Sequence, residues 1–209
     1  MKATTIVSIL GGALMMGTGI MGTGALAQDT SPENVPEVAE FADRVTKLAE
    51  SELVSWIADP AIIDAIKEQN DRNEGMSADD IAALDAAWRA ETDARAKPMI
   101  WDLLDRLHSI LLRDRRESSD GVVTEIIVMD KYGLNAAISD ATSDFYQGDE
   151  LKYSETYLVG PDAIFVDEYE FDESTQKWQT QVSRTVVDPE TGDVIGAVTF
   201  GIDLTRLPE

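Results

Sequence analysis

His108 is the only histidine in the chain, and it follows Asp105 by three residues in a leucine-rich stretch that reads as helix. At that spacing the two side chains are neighbours on a helix surface. A histidine-based triad would have to use it, yet no Gly-x-Ser-x-Gly elbow occurs. Leucines on both sides also make a poor setting for a general base, so His108 reads as a structural or solvated residue. Carboxylates are far more numerous. In Asp167-Glu-Tyr-Glu-Phe-Asp-Glu173, strand alternation puts Glu168, Glu170 and Asp172 on one face. A glycosidase-like acid and base pair needs two carboxyls about 5 to 10 Å apart in a cleft, but with 40 Asp and Glu in the chain such spacings are unavoidable and discriminate little. Asp140 with Asp144, and Asp188 with Asp193, come nearest to a calcium loop, and neither follows the Asp-x-Asp-x-Asp-Gly pattern. No metal site is therefore expected. Neither Gly-x-Gly-x-x-Gly nor a phosphate-binding Gly-x-x-x-x-Gly-Lys-Ser/Thr loop follows a strand. The absence of cysteine removes thiol catalysis, thiolate metal sites and iron–sulfur clusters. No cofactor and no enzyme active site are expected, and a role in binding is left.

Charge narrows the choice of partner. Forty acidic residues against 17 Lys and Arg give a net charge of −23, and a surface of that sign repels phosphate backbones and anionic lipid headgroups. Nucleic acid and membrane-surface roles are thereby excluded as expectations. High solubility explains the same number without any partner.

The elements that must position binding residues can be read along the chain. Residues 1–27 carry Lys2 as their only charge, are otherwise apolar residues, Gly, Thr and a single Ser, and end Ala25-Leu26-Ala27. That is the pattern of an export signal, with cleavage expected between Ala27 and Gln28. An uncleaved anchor is the alternative, since the run is long enough to span a bilayer, although six glycines weaken it as a helix. Residues 28–36, with two prolines, form a flexible linker. Residues 37–120 form the helical part of a single domain. Val38, Phe41, Val45, Leu48, Leu53 and Trp56 stripe one long leading helix, from Val35 to Trp56. Asp59-Pro60 caps and opens a second, which bears Ile62, Ile63 and Ile66 and frays from Glu68 to Gly75. Ser77 and Asp80 form a weakened capping box for a third, with Ile81, Leu84 and Trp88 buried. Pro98 opens a fourth, in which Leu103, Leu104, Leu107, Ile110 and Leu111 share one side.

Residues 121–209 change period. Five strands are expected, at 122–129, 134–139, 163–171, 178–187 and 194–204, with a turn at Asp130-Lys-Tyr-Gly133. A polar loop after the second strand leads into a short helix ending near Tyr157. The plan is α+β, one antiparallel sheet with helices on one face and the loop with its short helix on the other.

Four features carry a resemblance to a known family: the long leading helix, the strand and turn Ile127-Val-Met-Asp-Lys-Tyr-Gly133, the loop Ser139 to Gly148 with its Asp144-Phe-Tyr-Gln-Gly, and the closing Ile195-Gly-Ala-Val-Thr-Phe-Gly-Ile-Asp-Leu204. Together they resemble the extracytoplasmic PAS-like sensors called Cache or PDC domains, over about Val35 to Leu204. The resemblance implies a single PAS-like, five-stranded antiparallel sheet. Membrane receptors of this kind continue into a transmembrane helix and an output module, and the sequence stops at Glu209, so what is implied is a free-standing periplasmic binding protein that reports to a separate membrane receptor.

The family's pocket lies between the sheet and the loop with its helix, which implies ligand-binding groups at Thr142, Asp144, Tyr146, Gln147 and Tyr157. Trp178, Arg184 and Asp203 join them from the last strands. Asp144 would take an ammonium group, Tyr146 a cation or a polar group, and Arg184 a carboxylate held bidentately. Trp178, Thr180, Val182, Arg184 and Val186 share one strand face by alternation. The expected ligand is a small amino acid, carboxylate or amine. Two other readings stay open: a ligand-free structural module dimerising through the leading helix, and a carboxylate hydrolase with two acids of raised pKa in one cleft.

Overall fold

In the computed structural model, residues 6–7, 38–172 and 177–207 are described. The export signal and the linker, apart from Ile6 and Val7, lie outside these residues.

The leading helix is broken. α1 (Val38–Glu50) and α2 (Glu52–Ile57) meet at Ser51, whose φ of −109° and ψ of −77° depart from ideal helix and whose hydroxyl adds a second bond to the Lys47 carbonyl that its own N–H already holds, a back-bonding that bends helices. Asp59 accepts from the Ala61 N–H and caps α3 (Pro60–Arg72), as its Asp-Pro start predicts. α3 does not fray after Glu68. Gln69 and Asn70 are buried, and Asn70 donates to the Ile195 carbonyl and accepts from the Lys131 N–H, which fixes the helix to the sheet. Ser77 and Asp80 form a complete capping box on α4 (Ala78–Thr92).

The fourth helix divides into α5 (Pro98–Leu104) and α6 (Leu107–Glu117) at Asp105 and an extended Arg106. After the break α6 turns Ser109 and Leu112 inward, while Leu107, Ile110 and Leu111 are exposed. The shared apolar side expected for one continuous helix is therefore not formed. His108 sits half-buried on α6.

Among the described residues seven strands form one sheet: β1 (Ile6–Val7), β2 (Val123–Met129), β3 (Asn135–Ile138), β4 (Ile164–Val166), β5 (Glu170–Asp172), β6 (Lys177–Val187) and β7 (Val194–Asp203). The order is β1-β4-β6-β7-β2-β3, with β5 also paired to β6. All pairs are antiparallel except β1 with β4. The strand expected at 163–171 is split into β4 and β5. The turn between β2 and β3 is held by Asp130, whose carboxylate accepts from the Tyr132 and Leu134 N–H groups, and Gly133 supplies the positive φ of 77° that it needs. A short helix, α7 (Leu151–Ser154), follows the loop.

The two sheet faces have different cores. Val123, Ile126 and Val128 of β2, Val182 and Val186 of β6, and Val198, Phe200 and Ile202 of β7 pack against Phe41, Val45 and Leu48 of α1, Leu53 of α2 and Ile62 and Ile66 of α3. On the other face Ile127, Met129 and Ala197 join Trp88, Ile100, Leu103, Leu134, Ile138, Phe145 and Tyr153. The second face is thus covered by α4 and α5 as well as by the loop and α7. Among the described residues no helix is long and apolar enough to cross a membrane.

Candidate ligand-binding site

The second core fills only part of its sheet face. Beyond it, where β2 begins and β7 ends, the same face carries Glu125, Gln179, Gln181 and Gly201, and above these lies a cavity of about 270 Å³. Its floor depends on Gly201. A Cβ there would stand 2.5 Å from Thr124 Oγ1 and 2.7 Å from Glu125 Cγ, so the missing side chain lets Glu125 lie across β7. Glu125 Oε1 then accepts from Gln181 Nε2 at 2.8 Å. One wall is Glu150 and Lys152 at α7, and another is Asp167, Glu168 and Glu170 around β4 and β5. Thr180 also borders the cavity, and its hydroxyl donates to the Asp167 carbonyl at 2.8 Å.

Lys152 is the cation of this site. It is 7% exposed, with its ammonium 3.0 Å from Glu150 Oε2 and donating to Gln147 Oε1 at 3.3 Å. Gln147 is held in turn, because its amide donates to Asp144 Oδ1 at 2.6 Å, and Arg89 stands 3.4 Å from the other Asp144 oxygen. An amide nitrogen engaged by a carboxylate leaves the amide oxygen for the ammonium. Asp144 and Gln147 therefore form a relay behind the cavity wall.

The other expected site residues lie elsewhere. Thr142 holds the loop: its hydroxyl donates to the Asp144 carbonyl and accepts from Asn135, while its own carbonyl accepts from the Trp88 indole at 2.9 Å. Tyr146 donates its backbone N–H to Asp85 and lays its ring beside Gly148. Tyr157 stacks on Tyr153 at 5.0 Å. Trp178 and Arg184 do share a face, as alternation predicts, but it is the face packed by the N-terminal helices. Trp178 packs against that core, and Arg184 donates to the Ala49 carbonyl of α1 at 3.1 Å. Burial pushes the Arg184 guanidinium below the usual arginine range, against the opposing pull of Glu50 and Asp162. Asp203 is buried at the end of β7, with Lys177 at 2.8 Å and the Thr205 N–H and hydroxyl on its other oxygen. None of the eight borders the cavity.

The residues that do border it include Glu168 and Glu170, the alternating acids that the sequence could not distinguish from the rest. A larger depression of about 530 Å³, lined by Arg72, Met76, Asp80 and Leu84, opens at the turn between α3 and α4. It is walled by a single helix-turn-helix, whereas the cavity is bordered by five separate segments of the chain, which is the better setting for a small ligand.

No protein-family model and no curated protein matches the sequence. The chain is similar to solved structures of sensor domains. The sensor domain of the V. cholerae histidine kinase DctB shares 12% identity, with 81% of this chain and 54% of that one covered and a TM-score of 0.45. The ligand-binding domain of the Campylobacter jejuni chemoreceptor Tlp3, in complex with 4-methylisoleucine, shares 17%, covers 73% and 65%, and has a TM-score of 0.36. The ligand-binding domain of Mlp24 with asparagine shares 15%, covers 70% and 59%, and has a TM-score of 0.33. The chain thus spans less than two thirds of the length of these structures. All three TM-scores lie below 0.5, and the α+β fold described above rests on the chain's own strand pairing.

Proposed function

We propose that this protein is an extracytoplasmic, Cache-type binding module that senses a small organic molecule and reports to a separate partner. The observation that carries the reading is the cavity between the sheet and α7, whose wall holds a nearly buried lysine oriented through Gln147 and Asp144. A buried polar relay of this kind specifies one geometry. Asp144 and Gln147 keep a part in binding as residues that position Lys152. Residues 1–27 act as the export signal that delivers the domain outside the cytoplasm.

The apolar stripe of α1 packs into its own core through Phe41, Val45 and Leu48, which removes the ground for dimerisation through that stripe. A carboxylate hydrolase is not favoured either. Asp130, whose carboxyl burial raises, is tied into the turn after β2 and does not border the cavity.

Native mass spectrometry of the purified protein, before and after unfolding and refolding, tests the proposal. A discrete adduct lost on refolding is expected. Retention of any adduct by a Gly201→Val variant that is folded would refute this cavity as the site.

A further inference from the structure

Within the proposed binding function, we infer that the cavity takes a short aliphatic diamine and rejects carboxylates. The first ground is what the cavity lacks. A ligand carboxylate needs a cation, and Lys152, the cation on the cavity wall, is already engaged by Glu150 and Gln147. Arg184, the residue best suited to grip a carboxylate, is on the opposite sheet face.

The second ground is what the cavity offers. Five carboxylates, of Glu125, Glu150, Asp167, Glu168 and Glu170, border it against one ammonium. Glu125 commits one oxygen to Gln181, and Asp167 commits one to the Glu168 N–H, so each has a second oxygen for a donor. Acceptors are thus in excess and donors are scarce. Carboxylates gathered around a concave wall also sum their fields, drawing cations in and keeping anions out.

Size and placement decide between one ammonium and two. At about 30 Å³ per water, 270 Å³ holds roughly nine water-sized units, enough for a chain of four methylenes with two polar ends. Glu125 lies on β2 and Glu170 on β5, with β7 and β6 between them, so acceptors exist at two separate places. Lys152 repels an ammonium from the α7 side and steers both ends toward these groups.

Isothermal titration calorimetry of the purified protein with three four-carbon compounds tests the class: 1,4-diaminobutane, 4-aminobutyrate and succinate. The diamine should bind at least about tenfold more tightly than 4-aminobutyrate, with weaker binding in high salt, and succinate should give no heat. Glu125→Gln and Glu170→Gln should each weaken the diamine several-fold, while Asp79→Asn on α4 should not. Tighter binding of succinate or 4-aminobutyrate, abolished by Gly201→Val, would overturn the diamine and leave the binding module standing. Diamine binding indifferent to Glu125→Gln and Glu170→Gln would be counterion attraction to an acidic surface and would also overturn it. If none of the three binds and native mass spectrometry finds no adduct, the binding module fails together with the diamine.

Discussion

Trp88→Phe tests whether α4 holds the loop that backs the cavity. Trp88 is fully buried, its ring stacks on Phe145 at 5.2 Å, and its indole N–H donates to the Thr142 carbonyl at 2.9 Å. Phenylalanine keeps a ring for the stack and removes the donor and part of the bulk. An unpaired buried carbonyl costs about 1–3 kcal/mol, and the lost apolar contact adds about 1 kcal/mol. The expected loss is therefore about 2–4 kcal/mol, read as a lower urea midpoint with an unchanged slope. It should also be local. Amides of residues 140–148 should exchange faster by a larger factor than those of β6 and β7, because the Asn135, Thr142, Asp144 and Gln147 bonds depend on the loop staying in place. A stability loss under about 1 kcal/mol, or a uniform rise in exchange across the sheet, would refute the reasoning.

Gly201→Val should fill the cavity floor and displace Glu125, at a cost of about 1–3 kcal/mol for overpacking, and should abolish ligand binding in the calorimeter. Asp59→Ala should lower stability in thermal unfolding by about 1 kcal/mol for the lost cap of α3, with at most about 1 kcal/mol more from the half-exposed pair with Arg115. Two buried aspartates should respond to pH with opposite signs. Burial raises Asp130 above the usual carboxylate range, despite its bonds from Leu134, Asn73 and Tyr132. Its contribution is therefore fully present below the unfolded pKa and lost as pH rises through the folded one, and Asp130→Asn should flatten that part of the stability profile. Burial also pushes Asp203 upward, but Lys177 and Thr205 together hold it below the usual range. Its contribution is present above the unfolded pKa and lost as pH falls through the folded one, so Asp203→Asn should cost more at neutral than at acid pH in chemical denaturation.

Local signals were legible where the chemistry is local. Asp59-Pro60 and Ser77 with Asp80 start helices because a side chain reaches its own backbone two or three residues away. The β-branched run after Gly121 forms β2 for an equally local reason. The break at Arg106 was not legible, since Leu103, Leu107 and Leu111 fit one helical stripe by spacing, and only the inward turn of Ser109, which accepts from the Ile138 N–H, shows which face the sheet takes. Alternation correctly grouped Trp178 with Arg184 but carries no information on which face the helices cover. The cavity is a long-range product. Glu125 meets Gln181 and Gly201 through the pairing of β2, β7 and β6, and the Asp167 to Glu170 segment arrives through β4 and β5. In a chain so rich in acids, nothing in the spacing of these residues marks them out.

The long β6 strand divides its side chains between two worlds: Gln179 and Gln181 border the cavity, while Trp178 and Arg184 meet the helices. Because side chains alternate, a length change of a single residue between β5 and β6 that shifted the pairing would exchange the two sets. A slip of one place would set Trp178 where Gln179 stands and Thr180 where Gln181 stands, so an indole and a hydroxyl would replace two amides over the same hollow, with no codon for a cavity residue altered. Among descendants of this chain, a single insertion or deletion is thus a short path to a cavity floor of different shape and polarity.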